Sequence, residues 1–183
     1  MPLPIAVLLL AIVGTFAWGS WLAAPWLPMP RKDVQRLLHL AQFRPNELVY
    51  DLGCGDGRVL CAAAAQYGVR GIGFEVALLP FVWGWCTILL YGLWPQVKVR
   101  YRNFYRCNLS AADVVTVFLT PRAMVKLAPK LAAELAPSAR VLSYAFAIPG
   151  WQPTHVDKPT PSNIAIFCYR VSAPATRPES DQS

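Results

Sequence analysis

The spacing of apolar positions divides the chain into segments. Residues 1–30 contain no charged side chain, and residues 3–26 form an apolar run long enough to span a bilayer core, which takes about 20 such residues. Trp18, Trp21 and Trp26 gather toward its C-terminal end, where indoles favour the lipid interface. Val34, Leu37, Leu38 and Ala41 then recur at i, i+3, i+4 and i+7, which predicts an amphipathic helix. His39 shares the polar side of that helix with Gln35 and Gln42 and reads as a solvated histidine. Arg44, Pro45 and Asn46 end the helix and lead into a β-prone run through Leu48, Val49 and Tyr50. An alanine-rich run over residues 59–65, closed by Gly68, predicts a second helix, and residues 69–75 predict a strand that ends on Glu75.

Residues 76–97 are again free of charge and apolar all round, so hydropathy alone predicts a second membrane span. Topology predicts otherwise. The strands on either side must lie in one sheet, and a crossover helix has to return to that sheet. The stretch therefore reads as a crossover helix with one face on the sheet and a Trp-rich face in the lipid interface or against the N-terminal segment. Beyond it, Val97, Val99 and Tyr101 alternate with Lys98, Arg100 and Arg102. A strand with one basic face fits a sheet edge, where the cations protect against edge pairing or meet an anionic lipid or substrate.

Residues 113–119 form a continuous apolar run after an acidic start, as expected of a central parallel strand. Residues 124–135 predict an amphipathic helix ended by Pro137 and Ser138, and residues 140–146 a fifth strand. Residues 154–157 and 163–171 predict a closing antiparallel pair, and residues 172–183 a polar, disordered tail. The expected organisation is an anchor and link over 1–30, one α/β domain over 31–171, and the tail over 172–183.

Composition supports a membrane neighbour. Of the 183 residues, 55% are hydrophobic and 15% charged, and the net charge is +7. The mean hydropathy of +0.36 is high for a soluble domain, and the pI near 9.4 points to an anionic surface. The first 30 residues lack a basic n-region, whereas Arg31, Lys32 and Arg36 follow at once. The positive-inside rule then predicts an uncleaved single-pass anchor with the domain cytoplasmic. The five cysteines, Cys54, Cys61, Cys86, Cys107 and Cys168, show no Cys-x-x-Cys spacing and read as reduced thiols. His39 and His155 are isolated, so no metal site is expected.

The chemistry concentrates at Asp51-x-Gly53-x-Gly55-x-Gly57, between a strand and a helix. Glycines there let the backbone approach a ligand closely. Arg58 stands where the dinucleotide fingerprint requires its third glycine, and no phosphate-binding Lys-Ser/Thr follows. An acidic residue at the strand end suits a ligand bearing an ammonium and a sulfonium better than one bearing a pyrophosphate. An unrelated glycine turn remains open on this motif alone. Glu75 supplies a second match, roughly 20 residues beyond the glycines, where an acidic residue of this fold grips ribose hydroxyls.

The glycine motif and Glu75 resemble those of class I S-adenosylmethionine (SAM) methyltransferases. More narrowly, the N-terminal apolar segment, the Pro28-Met29-Pro30 link, the Gly73-x-Glu75 pair and the late Phe146-x-x-Pro149-x-Trp151-x-Pro153 segment are similar to one branch. That branch is the small membrane-anchored protein-lysine methyltransferases of the ATP synthase c-subunit and adenine nucleotide translocase type. The resemblance implies a Rossmann-like α/β fold, a seven-stranded sheet with a C-terminal antiparallel pair, preceded by one transmembrane helix. It implies SAM as cofactor, held by Asp51, Gly53, Cys54, Gly55, Gly57 and Glu75, with Asn103 at the adenine amino group and Phe104 on its ring. Thr120 and Pro121, with the loop from Phe146 to Trp151, would position the acceptor, a membrane protein or a lipid; no nucleic-acid partner is expected. The chain differs from the branch in its Trp26-Leu27-Pro28-Met29 link, and from many amino-group methyltransferases in having Thr120-Pro121-Arg122 in place of Asp/Asn-Pro-Pro. A lipid or quinone methyltransferase and a non-catalytic SAM-binding membrane protein stand as alternatives.

Overall fold

A computed structural model describes residues 2–5, 14 and 27–172. The expected membrane span over 3–26 falls almost wholly outside the described residues, as does the tail beyond Ser172. Among the described residues no helix is long and apolar enough to cross a membrane.

Helix α1 (Arg31–Ala41) leads into β1 (Leu48–Leu52), α2 (Arg58–Tyr67), β2 (Arg70–Glu75), α3 (Leu78–Leu90) and β3 (Val97–Tyr101). A 3-10 turn (Phe104–Arg106) then precedes β4 (Val114–Val117), α4 (Pro121–Glu134), β5 (Arg140–Tyr144), β6 (His155–Asp157) and β7 (Ile166–Arg170). The seven strands form one sheet in the order β3-β2-β1-β4-β5-β7-β6. Strands β1 to β5 pair in parallel, and β7 runs antiparallel to both β5 and β6. The expected sheet and its closing pair are both present.

Strand alternation sorts the core into two layers. Val49, Val114 and Leu142 face a cluster built from α1, α2 and Ile88 of α3. Tyr50, Val115 and Val141 face the other side, against Met124, Leu127 and Leu131 of α4. The charge-free stretch 76–97 is a crossover, as topology requires. Its helix has 13 residues, about 20 Å at 1.5 Å per residue, well short of a bilayer core.

Three local features depart from the pattern read along the chain. The α4 helix starts at Pro121 rather than residue 124, because Thr120 Oγ1 accepts the Ala123 N–H at 3.4 Å and Pro121 occupies the first turn. The β5 strand stops at Tyr144, because Ala145 turns into the left-handed region at φ 74° and Ser143 Oγ donates to the Phe146 carbonyl. The third feature is Arg36, counted above among the cations flanking the anchor, which is spent inside the domain. It donates to Asp33 Oδ1 at 2.8 Å and, through Nε, to Asp157 Oδ2 at 3.0 Å. The buried Asp33 also accepts from Tyr144 Oη at 2.8 Å, so α1 is bolted to β5 and β6. Arg31 and Lys32 remain exposed.

The β2 strand carries Gly71 and Gly73 toward α2. A Cβ on Gly71 would meet Leu60 Cδ2 at 3.1 Å; one on Gly73 would lie 2.5 Å from Cys54 Sγ and 2.8 Å from Cys54 Cβ. The glycines let α2 and the loop before it rest on the strand. Gly73→Ala should cost about 1–3 kcal/mol by overpacking, read as a lower urea midpoint. Cys54→Ala should restore only part of it, since the Cβ clash persists. An unchanged midpoint in the single variant would show that Cys54 moves aside freely.

Candidate active site

The site lies where the parallel strands end. Asp51 sits in register between Gly73 on β2 and Thr116 on β4, is 6% exposed, and accepts from Thr116 Oγ1 at 2.9 Å. The carboxylates of Glu75 and Asp56 act on it electrostatically. Burial, opposed by the Thr116 hydrogen bond and reinforced by those two carboxylates, pushes the Asp51 carboxyl from 3.8 up to about 7. An acid held in that state gains from any cation brought against it.

After Leu52 the chain turns through Gly53, Gly55 and Gly57 at φ 82°, 54° and 73°, values that side-chain-bearing residues rarely adopt. The amides of Gly53 and Cys54 both donate to the Phe74 carbonyl, at 2.9 and 3.1 Å, which folds the loop back over β2. Glu75 fixes the loop from the other side. Its Oε2 accepts from the Gly55 amide at 2.9 Å, and its Oε1 from the Val76 and Ala77 amides at 2.7 and 2.8 Å. Three of roughly four lone-pair sites are in use, which leaves room for one hydroxyl without disturbing the loop.

Asp56 and Arg58, assigned no contact by the sequence reading, close the site. Arg58 Nε donates to both Asp56 oxygens, at 2.9 and 3.0 Å, while its Nη1 reaches the Met29 carbonyl at 2.8 Å. The link is thereby held over the glycine loop, and Leu27, Pro28 and Met29 line one cleft with Asp51, Gly55 and Phe118. One signal was available: Arg58 opens α2 with no acid in the first turn. A cation at a helix N-terminus opposes the dipole, so another partner had to hold it.

The remaining expected residues divide by what they touch. Cys54 turns its buried side chain toward Gly73 in the core, and burial beside Asp51 and Glu75 holds its thiol well above its usual range. Its main chain belongs to the loop. Asn103 lies two residues past Tyr101, the β3 partner of Glu75, and its Oδ1 accepts from the Tyr105 amide at 3.0 Å, capping the 3-10 turn. Phe104, 2% exposed, packs in the core, with its ring centroid 4.4 Å from that of Tyr105. An apolar residue on a tight turn at a strand end is driven inward by burial. Thr120 and Pro121 stand at the head of α4, just past β4. In the late loop, Trp151 packs edge-on against Tyr169 at 5.9 Å, the Tyr169 hydroxyl accepts from the Ile148 amide at 2.9 Å, and Phe146 is left at the surface. Among the described residues no group of His, Cys, Asp or Glu could hold a metal ion.

A sheet of five parallel strands closed by an antiparallel β7, with a glycine loop after β1 and acids near the ends of β1 and β2, is the architecture of a SAM-dependent methyltransferase. An RNA methyltransferase from Salinibacter ruber, solved in complex with S-adenosyl-L-homocysteine, shares the fold with a TM-score of 0.78 at 28% identity, over 82% of this chain and 97% of that one. The chain belongs to the family of the ANTKMT methyltransferase domain, whose sequence model matches residues 51–155. A protein-lysine N-methyltransferase from Saccharolobus islandicus is 37% identical over 146 residues, 79% of this chain and 91% of that protein. The adenine nucleotide translocase lysine N-methyltransferase of Mus musculus is 36% identical over 138 residues, 74% of this chain but 58% of that protein. The chain thus spans little more than half of the mouse relative.

Proposed function

We propose that the chain transfers a methyl group from SAM to a lysine ε-amine of a membrane protein, at the cytoplasmic face of the membrane. The observation that carries the lysine assignment is the 37% identity to the Saccharolobus protein-lysine methyltransferase over 91% of its length. The membrane placement rests on the charge-free run over 3–26 and on the exposed Arg31 and Lys32 that follow it.

The residues at the strand ends fit SAM by their chemistry. Asp51, an acid facing other acids, balances the positive methionine end; Glu75 accepts from the ribose; the Gly53–Gly57 turn lets the backbone come close; Asn103 stands at the adenine end. Bound SAM supplies an electrophilic methyl group on a sulfonium. The chain's part is then positioning and exclusion of water. The amine must shed its proton before attack, and Thr120, Pro121 and Phe146 form the rim along which it would approach.

The test is tritiated SAM on native membranes that contain the full chain, with the label followed into protein, organic-extractable and nucleic-acid fractions. Label in a protein band, with methyl-lysine masses on its peptides, is expected. Label in the lipid or RNA fraction would sink the lysine reading, and SAM binding without label anywhere would favour a non-catalytic role.

A further inference from the structure

We infer that α3 is a second membrane contact, its outward face lying in the headgroup region of an anionic bilayer. The helix buries Pro80, Gly84 and Ile88, at i, i+4 and i+8. A period of 3.6 residues centres the opposite face on Cys86, which is exposed, as are Leu79, Val82 and Leu89 around it. Leu90 is 87% exposed, and Trp83 (61%) and Trp85 stand on the two margins of the face. Tyr91 and Trp94 follow at its C-terminal end, both exposed. Aliphatic groups at the centre with indoles and a phenol at the border suit the boundary between headgroups and acyl chains.

Charge selects the lipid. Between Glu75 and Asp113 the chain carries Lys98, Arg100, Arg102 and Arg106 and no acid, and all four cations are exposed. Alternation along β3 sends its cations to the sheet's other face. Lys98 nonetheless folds round the edge, with Nζ 5.6 Å from the Trp94 ring centroid. Cations at an edge act on anionic headgroups through a field that reaches about 10 Å at moderate salt. An apolar protein cover, residues 3–26 included, would strip water from the indole N–H and phenol O–H groups without replacing their hydrogen bonds. Headgroup oxygens and interfacial water supply them.

This contact uses no residue before 76, so it is separate from the proposed anchor. Because Cys54, Cys61 and Cys107 are buried, a thiol-directed spin label on the full chain, in a Cys168→Ser background, reports on Cys86. The chain is reconstituted in phosphatidylcholine vesicles with or without phosphatidylglycerol. With the anionic lipid, dissolved oxygen should reach the label several-fold better than an aqueous nickel chelate. That ratio should invert in phosphatidylcholine alone and in the combined Lys98→Glu, Arg100→Glu, Arg102→Glu variant. Should that variant lose SAM binding, and with it the assurance of folding, Leu90→Asp should invert the ratio instead. A label open to nickel in anionic vesicles overturns the inference while leaving the anchor standing if the protein still floats with lipid. A label shielded from both reagents shows a protein cover, from the N-terminal segment or a second copy, and overturns it equally. SAM binding on the same samples separates either failure from a failure of the methyltransferase reading.

Discussion

Replacing Glu75 with glutamine is expected to weaken SAM binding on the order of a hundredfold, with a smaller loss of thermal stability. The carboxylate accepts from three backbone amides, those of Gly55, Val76 and Ala77. A glutamine has one carbonyl to offer them. Turned toward Val76 and Ala77, it keeps two bonds and presents its NH2 to the Gly55 N–H, donor against donor. A hydrogen bond to a charged group contributes about 1.5–3 kcal/mol. The Gly55 bond is present without ligand, so its loss falls on stability; the ribose bond exists only in the complex, and its loss, up to about 3 kcal/mol, is on the order of a hundredfold in Kd. Calorimetric titration with SAM, paired with thermal melts, checks this. If the melting temperature falls while affinity is unchanged, Glu75 is a loop brace and the ribose assignment is wrong.

The second large effect is a pH dependence centred on Asp51. The folded protein holds this carboxyl at about 7 against an ordinary 3.8. Below about pH 4 it is protonated in both states and costs nothing; between about 4 and about 7 the folded state binds the extra proton, so stability falls as pH rises. Roughly three pH units at about 1.4 kcal/mol each set the ceiling near 4 kcal/mol. Relative to Asp51→Asn, which keeps an oxygen for Thr116, the wild type should therefore lose stability across that window in chemical denaturation. Ligand binding should show the reverse sign. A cation seated against Asp51 favours its carboxylate, so SAM affinity should rise between about pH 6 and 7.5, before the ligand's own α-ammonium titrates near 8. Calorimetry in buffers of different ionisation enthalpy should record proton release on binding. Proton uptake would mean that no cation meets Asp51.

Much of this site was legible along the chain because its devices are local. A strand that ends on an acid and runs into alternate glycines can only make a tight loop, and Glu75 follows at the spacing that one crossover imposes. The edge position of β3 was readable from its cations, because a strand covered on both faces has nowhere to put them. What escaped depended on contacts between distant residues. Arg36 reads as a flanking cation until folding brings Asp157 beside it, 121 positions away. Asp56 and Arg58 read as the tail of a motif until the link arrives overhead. Nor was it legible that Phe104 would be buried in the core, or that Thr120 Oγ1 would cap α4 by accepting an orphan amide at its head.

The Arg58–Met29 hydrogen bond bears on reach. With Met29 clasped to α2 and α1 bolted down through Asp33 and Arg36, there is almost no slack ahead of the rim. Whatever precedes Leu27 is tethered on a leash of roughly 10 Å, two or three residues at about 3.5 Å each. On the proposed membrane placement such a site cannot sweep through the aqueous space; it works at one altitude. Lysines would then be sorted by their height above the bilayer before any neighbouring sequence is read, with an arginine and a carbonyl serving as the ruler.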